Sequence, residues 1–160
     1  MPVSIAVYLG SFDPLTLGHL DIIDRGSKIF SKLVVGIGVN SGKNLFFSIE
    51  ERLELTQKIC SSYANIEVKS FNDLAVDFAQ REGASVMIRG LRTESDYVYE
   101  MQMAMTNHTL NNNIESIFIP TRQSLCHISS SLVKEVAQLG GKVDQMVPPL
   151  VGEKLLKKIV

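Results

Sequence analysis

The sequence predicts an α/β protein, specifically a Rossmann-like, doubly wound five-stranded parallel sheet with helices on both faces. Short apolar runs typical of buried strands alternate along the chain with longer segments of helical periodicity. Parallel strands need crossover connections, and the helices in those connections cover the faces of the sheet. In such sheets, ligands bind at the carboxyl ends of the strands, near the point where the strand order reverses.

The individual elements follow from these runs and from the turn residues between them. Strands are predicted over 4–8, 32–39, 65–71, 86–88 and 116–119. Helices are predicted over 18–30, 48–62, 74–82, 93–111, 130–139 and 149–159. Ser48 and Glu51 fit a capping box at the start of the second helix. Gly83 and Gly140 fit the position that follows a helix end, and we assign all four residues structural roles only.

Composition narrows the classes of function. The chain has 160 residues, 45% of them hydrophobic, which suits a single domain over 1–160 with a sizeable core. A formal net charge of −1 provides no broad basic field, so neither nucleic acid nor a membrane surface is expected as a partner. We also expect no membrane span and no signal peptide. Any anion site must therefore be local.

Cysteine and glycine patterns argue against two other classes. Cys60 and Cys126 have no metal-ligand spacing, so no residue is assigned as a metal ligand, and both are expected to be free thiols of a cytoplasmic protein. Gly36-Ile37-Gly38 lies inside a predicted strand and lacks the third glycine of a dinucleotide fingerprint, which argues against a Rossmann dehydrogenase. His108 and His127 are treated as non-catalytic by default.

The segment Gly-Ser-Phe-Asp-Pro-Leu-Thr-Leu-Gly-His at 10–19 joins the first strand to the first helix. A helix N-terminus presents unpaired N–H groups and a positive partial charge, and phosphate is its usual occupant. Gly10 is expected to let a ligand approach the backbone, Pro14 to fix the turn, and His19 to donate a hydrogen bond to the same anion. The alternative is a structural histidine at an ordinary strand–helix joint.

Two further strand ends carry cations. Lys43 follows the second strand within Asn-Ser-Gly-Lys-Asn and is a candidate point charge for a phosphate, although it could be simply solvated. Arg89 and Arg92 flank a glycine after the fourth strand, and their planar guanidinium groups match phosphate oxygens. The alternative for the arginines is a pair of surface salt bridges. Glu100, in the following helix, could face the same site or be a solvated carboxylate.

A serine triplet begins the fifth predicted helix. Ser129, Ser130 and Ser131 supply hydroxyls as well as free N–H groups, which makes a second anion cradle, although one of them could be an ordinary cap. Phosphate-seeking groups thus come from four joints at one edge of the sheet. That set suits a polyphosphate together with a second anionic substrate.

The sequence also resembles the phosphopantetheine adenylyltransferase family of the nucleotidylyltransferase superfamily over essentially its whole length. The first matching string is Gly-Ser-Phe-Asp-Pro-x-Thr-x-Gly-His at 10–19, which contains the superfamily pattern Thr-x-Gly-His. The others are Glu-Glu-Arg at 50–52, Ile-Arg-Gly-Leu-Arg at 88–92, Tyr-Glu-Met-Gln at 99–102 and Ile-Ser-Ser-Ser-Leu-Val-Lys-Glu at 128–135.

This resemblance implies a reaction and a set of site residues. ATP and 4′-phosphopantetheine would give dephospho-coenzyme A and pyrophosphate, the penultimate step of coenzyme A synthesis. It also implies Mg²⁺ dependence, a cytoplasmic location and a homohexamer built as a dimer of trimers. The residues matching ATP contacts are Ser11, Phe12, His19, Gly90, Leu91, Arg92, Glu100, Leu125, Cys126, His127, Ile128, Ser129, Ser130 and Ser131. Those matching the phosphopantetheine side are Ser11, Lys43, Leu74, Ala75 and Arg89, and His19 and Lys43 are the implied catalytic residues.

The expected mechanism needs no general base, because a phosphate monoester is already anionic near neutral pH. The protein must instead align two polyanions and neutralise charge at the α-phosphate. His19 would donate to the α-phosphate, Lys43 would bridge it to the nucleophile, and Arg92 would hold the departing pyrophosphate with Ser130 and Ser131. Two alternatives stay open: a nucleotidylyltransferase for nicotinamide mononucleotide or a phosphorylated alcohol, and a catalytically silent nucleotide-binding module.

Overall fold

A computed structural model describes residues 4–39 and 45–159 of the chain. Within them, one parallel five-stranded sheet has the strand order β3-β2-β1-β4-β5, which confirms the predicted fold class. The strands are β1 (Ile5–Gly10), β2 (Lys32–Gly38), β3 (Ile66–Phe71), β4 (Val86–Leu91) and β5 (Glu115–Pro120). The order reverses between β1 and β4, so a ligand site is expected beyond the ends of these two strands.

Within residues 4–39 and 45–159, six α-helices lie in the predicted places, and a short 3₁₀ helix, Gln123–Leu125, precedes the fifth. They are α1 (Leu17–Ile29), α2 (Ile49–Cys60), α3 (Ala75–Arg81), α4 (Glu94–Leu110), α5 (Ser130–Gln138) and α6 (Pro149–Ile159). The Ser48–Glu51 capping box is confirmed, with both reciprocal hydrogen bonds present. Gly83 and Gly140 have φ values of 69° and 78°, as glycines after helix ends require.

Alternation along the central strand divides the core between the two faces of the sheet. Ala6 and Tyr8 of β1 point into the larger cluster, which α1, α2, α5 and α6 cover. Val7 and Leu9 point into the smaller cluster, which α3 covers. The helices therefore lie on both faces, as predicted, and a side chain on β1 contributes to one layer or the other according to its parity.

The long helix α4 buries few of its side chains. Asn107 is its one buried residue, and the Asn107 amide donates to the Met87 sulfur in β4 at 3.5 Å. Several apolar side chains of α4 are more than half exposed, including Val98, Tyr99, Met105 and Leu110. Helix α4 therefore rests on the sheet by a narrow stripe. Among the described residues, we find no helix with the length and apolar character needed to span a bilayer.

Candidate functional site

A cavity of about 690 Å³ opens at the carboxyl edge of the sheet. Residues at or just beyond the ends of all five strands line it, as does the first part of α4 and the start of α5. Three of the four joints singled out from the sequence, those after β1, after β4 and before α5, contribute to the cavity wall, and the fourth, at 40–44, lies outside the described residues. The cavity is where the strand order reverses, which is the expected ligand position in such a sheet.

The turn after β1 has an unusual backbone. Phe12 adopts φ +46°, a left-handed conformation that non-glycine residues rarely adopt. Its ring is buried and packs edge-on between Tyr8, at 5.4 Å, and His19, at 5.1 Å between ring centroids. A Cβ on Gly10 would lie 3.2 Å from the Phe12 ring. Gly10 therefore makes room for Phe12, and because it also lines the cavity, its expected role in ligand approach stays a prediction.

His19 is held in one tautomer by the residue three positions before it. The backbone N–H of Thr16 donates to His19 Nδ1 at 3.0 Å. In return, the Thr16 hydroxyl accepts from the backbone N–H of His19 at 3.3 Å. A backbone N–H can only donate, so Nδ1 is the acceptor and a neutral imidazole carries its proton on Nε2. Burial, with a further contribution from Arg92, lowers the pKa of His19 from 6.5 to about 4. At neutral pH His19 is thus an uncharged hydrogen-bond donor in the cavity wall.

This arrangement predicts a distinctive titration. The His19 imidazole should titrate near pH 4, measurable from its Hε1 chemical shift in a pH series, with His19→Gln assigning the signal. Because the folded pKa lies below the unfolded value, the unfolded chain binds the proton more readily, and His19 costs stability as pH falls from about 6.5 towards 4. The unfolding free energy of the wild type should therefore drop relative to that of His19→Gln over this window. A midpoint near 6.5 would contradict the assignment.

Arg89 and Glu100 form a half-buried ion pair in the cavity wall. Arg89 Nε donates to Glu100 Oε2, and the two side chains are 18% and 17% exposed. Arg89 is the fourth residue of β4, and Glu100 lies on the second turn of α4, so the pair joins the sheet to the helix. Glu100 thus faces the site as expected, but as the partner of Arg89.

Arg92 is fixed more rigidly. Its Nε and Nη2 donate to the two carboxylate oxygens of Asp96 at 3.0 and 3.1 Å, and its Nη1 donates to the Ile128 carbonyl at 3.0 Å. The fork is therefore bidentate, and it links the start of α4 to the segment before α5. Both arginines do make the ion pairs that the alternative interpretation required, yet both also line the cavity. The bonds orient the guanidinium groups at its wall.

The three serines at the start of α5 have separate roles. Ser129 is the N-cap, and its hydroxyl accepts from the Leu132 N–H at 3.1 Å. Ser130 donates to the Pro14 carbonyl at 2.8 Å, which ties α5 to the turn after β1. Ser131 is exposed, and all three line the cavity. One serine is thus the ordinary cap, and the other two place hydroxyls at the wall.

The predicted site residues divide into three groups. Those in the cavity wall are Ser11, Phe12, His19, Ala75, Arg89, Gly90, Arg92, Glu100, Ile128, Ser129, Ser130 and Ser131. Those that do not line it are Leu74, Leu91, Leu125, Cys126 and His127. Leu74 and His127 are exposed, and the Cys126 thiol donates to the Thr121 and Arg122 carbonyls. Lys43 lies outside the described residues. These assignments stay predictions.

Four residues that the sequence analysis did not assign to the site position those that it did. Thr16 orients His19, and Asp96 orients Arg92. Asp13 accepts from the amides of Phe46 and Phe47, and Arg52 donates to backbone carbonyls after β1 and in β2. Thr16 and Asp96 could have been found from their helical spacing to His19 and Arg92. Asp13 and Arg52 act over long sequence separations, which local patterns do not reveal.

The acidic side chains of the cavity bear on any metal. Asp73, Asp96 and Glu100 line it, and each is paired with an arginine. Within 4–39 and 45–159, no group of three or more His, Cys, Asp or Glu side chains could hold a metal ion. Each of these three carboxylates therefore already has a guanidinium as its counter-ion.

Comparison with known proteins gives a consistent result. The sequence profile of the cytidylyltransferase-like family matches residues 7–136. A phosphopantetheine adenylyltransferase of Caldanaerobacter subterraneus is 47% identical over 154 residues, covering 96% of either chain. That of Geobacter metallireducens is 46% identical over 158 residues, covering 99% of this chain and 97% of its own. A third, from Synechocystis, is 49% identical over 145 residues and 91% of each chain.

Solved structures agree at the level of the fold. A Vibrio parahaemolyticus protein described as a nicotinate-nucleotide adenylyltransferase superposes with a TM-score of 0.75, covering 98% of this chain and 94% of its own at 15% identity. The nicotinic acid mononucleotide adenylyltransferase of Plasmodium falciparum, in complex with NaAD, gives 0.67 at the same identity and coverage. Identity this low shows the shared architecture alone. The high identity over nearly full length shows more: this chain belongs to the phosphopantetheine adenylyltransferase family.

Proposed function

We propose that this protein transfers the adenylyl group of ATP to 4′-phosphopantetheine, giving dephospho-coenzyme A and pyrophosphate, the penultimate step of coenzyme A synthesis. One observation of the structure supports this most directly. A single cavity brings together the neutral His19 donor, the oriented guanidinium groups of Arg89 and Arg92, and the serine-rich start of α5. Those groups suit two phosphate-bearing ligands side by side.

The proposed chemistry is an in-line displacement at the α-phosphate. A phosphate oxygen of phosphopantetheine forms a new P–O bond there, and the bond to the β-phosphate breaks, so that pyrophosphate leaves with the electron pair. His19 Nε2–H donates to a non-bridging α-phosphate oxygen as charge accumulates on it. Lys43 bridges the nucleophile and the α-phosphate, while Arg92, Ser130 and Ser131 hold the departing pyrophosphate. No proton needs to be removed from the nucleophile, because it is already anionic.

Magnesium is proposed to enter with ATP. When bound, it would neutralise triphosphate charge, with oxygens from the phosphates as its ligands. The cavity carboxylates described above are each paired with an arginine, so the protein's own contribution is to orient the phosphates through Arg92 and the α5 hydroxyls. This division suits a cation delivered by the substrate.

The direct test is a substrate screen. Purified protein with ATP, Mg²⁺ and 4′-phosphopantetheine should release pyrophosphate and form dephospho-coenzyme A, identified by mass. Nicotinamide mononucleotide and a phosphorylated alcohol serve as competing acceptors, because the two structural neighbours named above act on a pyridine mononucleotide by name. Turnover with another acceptor alone would replace the proposed substrate. ATP binding without turnover on any acceptor would instead favour a silent nucleotide-binding module.

Replacing Arg92 should separate the two substrate sites. Arg92→Ala removes a guanidinium from the cavity wall and leaves the Asp96 carboxylate unpaired there, so it should raise the Kd of ATP by about 10-fold or more. The Kd of phosphopantetheine should change by less than about 3-fold, because Arg92 is proposed to contact ATP and not phosphopantetheine. Arg89→Ala is the matched variant and should show the reverse preference. Equal loss for both ligands, measured by titration calorimetry, would contradict the division.

Assembly and location complete the proposal. We propose a cytoplasmic homohexamer, a dimer of trimers, as the family resemblance implies. The exposed apolar residues of α4 and Ile117 on the edge strand β5, 40% exposed, are consistent with contacts between copies. Light scattering coupled to size exclusion would measure the mass, and a monomer at micromolar concentration would contradict this part.

A further inference from the structure

The Glu-Glu-Arg string at 50–52 belongs to the family resemblance, yet none of its residues takes part in the proposed chemistry. Glu51 completes the capping box of α2, and Glu50 is exposed. Arg52 is different, because it is only 2% exposed. Burying a guanidinium is costly unless its donors are used, so the partners of Arg52 indicate why it lies there.

Arg52 bridges the ends of two adjacent strands. Its Nη1 donates to the Ser11 carbonyl at 2.7 Å and to the Gly38 carbonyl at 3.0 Å. The paired residues of β1 and β2 end with Gly10 opposite Ile37, so both carbonyls lie one residue beyond the ladder. The Nη1 atom of Arg52 therefore links the β1 and β2 backbones at a point where these two strands are no longer paired with each other.

Both backbones lead to residues assigned to catalysis. Ser11 opens the turn that ends at His19, and Gly38 precedes the segment that contains Lys43. Ser11 and Gly38 line the cavity, whereas Arg52 does not. Since Arg52 does not line the cavity and its Nη1 is used by two backbone carbonyls, the guanidinium lies behind the wall. Its Nε is buried and has no hydrogen-bond partner within the described part of the chain.

We propose that Arg52 is a positioning residue for adenylyl transfer, setting the spacing between the turn that leads to His19 and the end of β2 at the cavity wall. The inference rests on the proposed function and adds a residue that acts through two backbone carbonyls. A misplacement of about 1 Å at a reacting centre can cost about 10²-fold in rate. Arg92, Ser130 and Ser131, which are proposed to hold the β- and γ-phosphates of ATP, do not hydrogen-bond to Arg52, so kcat should fall much more than the KM of ATP rises.

The experiment compares three variants. Arg52→Met removes the charge and both hydrogen bonds, and it should lower kcat by about 10- to 100-fold with the KM of ATP within about 3-fold. Arg52→Lys keeps a donor and the charge without the planar fork, and it should restore part of that loss. Thr56→Val is the control: the buried Thr56 hydroxyl donates to the Arg52 carbonyl at 2.8 Å, so this variant weakens the same helix without touching the cavity edge. Its kcat per folded molecule should equal that of the wild type.

A second measurement needs no turnover. The Val39 amide, next to Gly38, donates to the Phe71 carbonyl at 2.8 Å, and its hydrogen exchange reports order at this edge. Arg52→Met should speed Val39 exchange by at least about 10-fold relative to Thr56→Val, since a local opening replaces a global one. If the wild type makes no dephospho-coenzyme A, the proposed function fails and Val39 exchange decides the inference alone. If Arg52→Met matches Thr56→Val in kcat and in exchange, the positioning role is overturned.

Discussion

His19→Ala should lower kcat for dephospho-coenzyme A formation by about 10²–10³-fold, the usual cost of removing one preorganised donor to a developing charge. The loss follows from the geometry of the ring. Thr16 occupies Nδ1, the depressed pKa keeps the imidazole neutral, and Nε2–H is left as the donor in the cavity wall. The Kd of ATP should change far less, because this contact strengthens as the transition state forms. Steady-state kinetics and titration calorimetry measure the two quantities.

A control is needed because the imidazole also caps α1. His19 accepts from the Thr16 N–H, so His19→Ala removes this one hydrogen bond of the capping box, worth about 0.5–1.5 kcal/mol. Glutamine is a regular capping-box residue at this position, and His19→Gln should keep the stability of the wild type. It cannot reproduce the Nε2 donor, so its kcat should fall almost as far as that of His19→Ala. Near-normal turnover in either variant would remove His19 from the chemistry.

Asp13→Ala should destabilise the fold by about 3–5 kcal/mol, the range expected when one partner of a buried charged network is deleted. Asp13 is 2% exposed, and its two carboxylate oxygens accept from the Phe46 and Phe47 amides at 2.8 Å each. Lys134 of α5 donates to the same carboxylate at 3.0 Å. The substitution would leave the buried Phe47 amide without its acceptor, and it would also remove the acceptor of the partly buried Phe46 amide and Lys134 ammonium. Urea denaturation measures the loss.

Further variants, including Asp13→Asn measured alone, test whether burial is the cause. Lys58→Ala removes an ion pair whose side chains are 58% and 52% exposed, and it should change the unfolding free energy by less than about 0.5 kcal/mol. Lys134→Met removes only the cation and should cost less than Asp13→Ala, since both amides keep their acceptor. Asp13→Asn combined with Lys134→Met should cost less than the sum of the single changes. Strict additivity would mean that the carboxylate and the ammonium do not interact.

Local patterns were sufficient to predict the order and type of the elements. Every predicted strand and helix is present, because hydrophobic periodicity and capping residues act over a few positions. The ends of the strands were less predictable. The fourth strand was predicted over 86–88 but continues to Leu91, because Arg89 and Gly90 pair with Phe118 and Ile119 of β5. Neither arginine nor glycine favours a strand, so pairing with a neighbour decided the outcome.

In the candidate site too, residues within short motifs could be predicted, whereas contacts between distant residues could not. His19 and the two arginines could be predicted because each follows a strand within a short motif. The contacts that hold them could be predicted only in part: Thr16 lies three residues from His19, whereas Asp13 reaches Phe46 across 33 positions. Arg52 reaches Ser11 across 41. Such contacts depend on which strands become neighbours, which a single local pattern does not contain.

The two arginine–carboxylate pairs of α4 affect how an anion enters. Each guanidinium already has a counter-ion, Glu100 for Arg89 and Asp96 for Arg92, so these two arginines present little bare positive charge to the cavity. An arriving phosphate must share or displace a resident carboxylate, and uptake becomes an exchange of partners instead of long-range steering. An anion with a single charge gains little binding energy from that exchange, whereas a polyphosphate can bind several of these groups simultaneously. Under the proposed function, a protein with a net charge of −1 would thereby admit its two polyanionic substrates selectively.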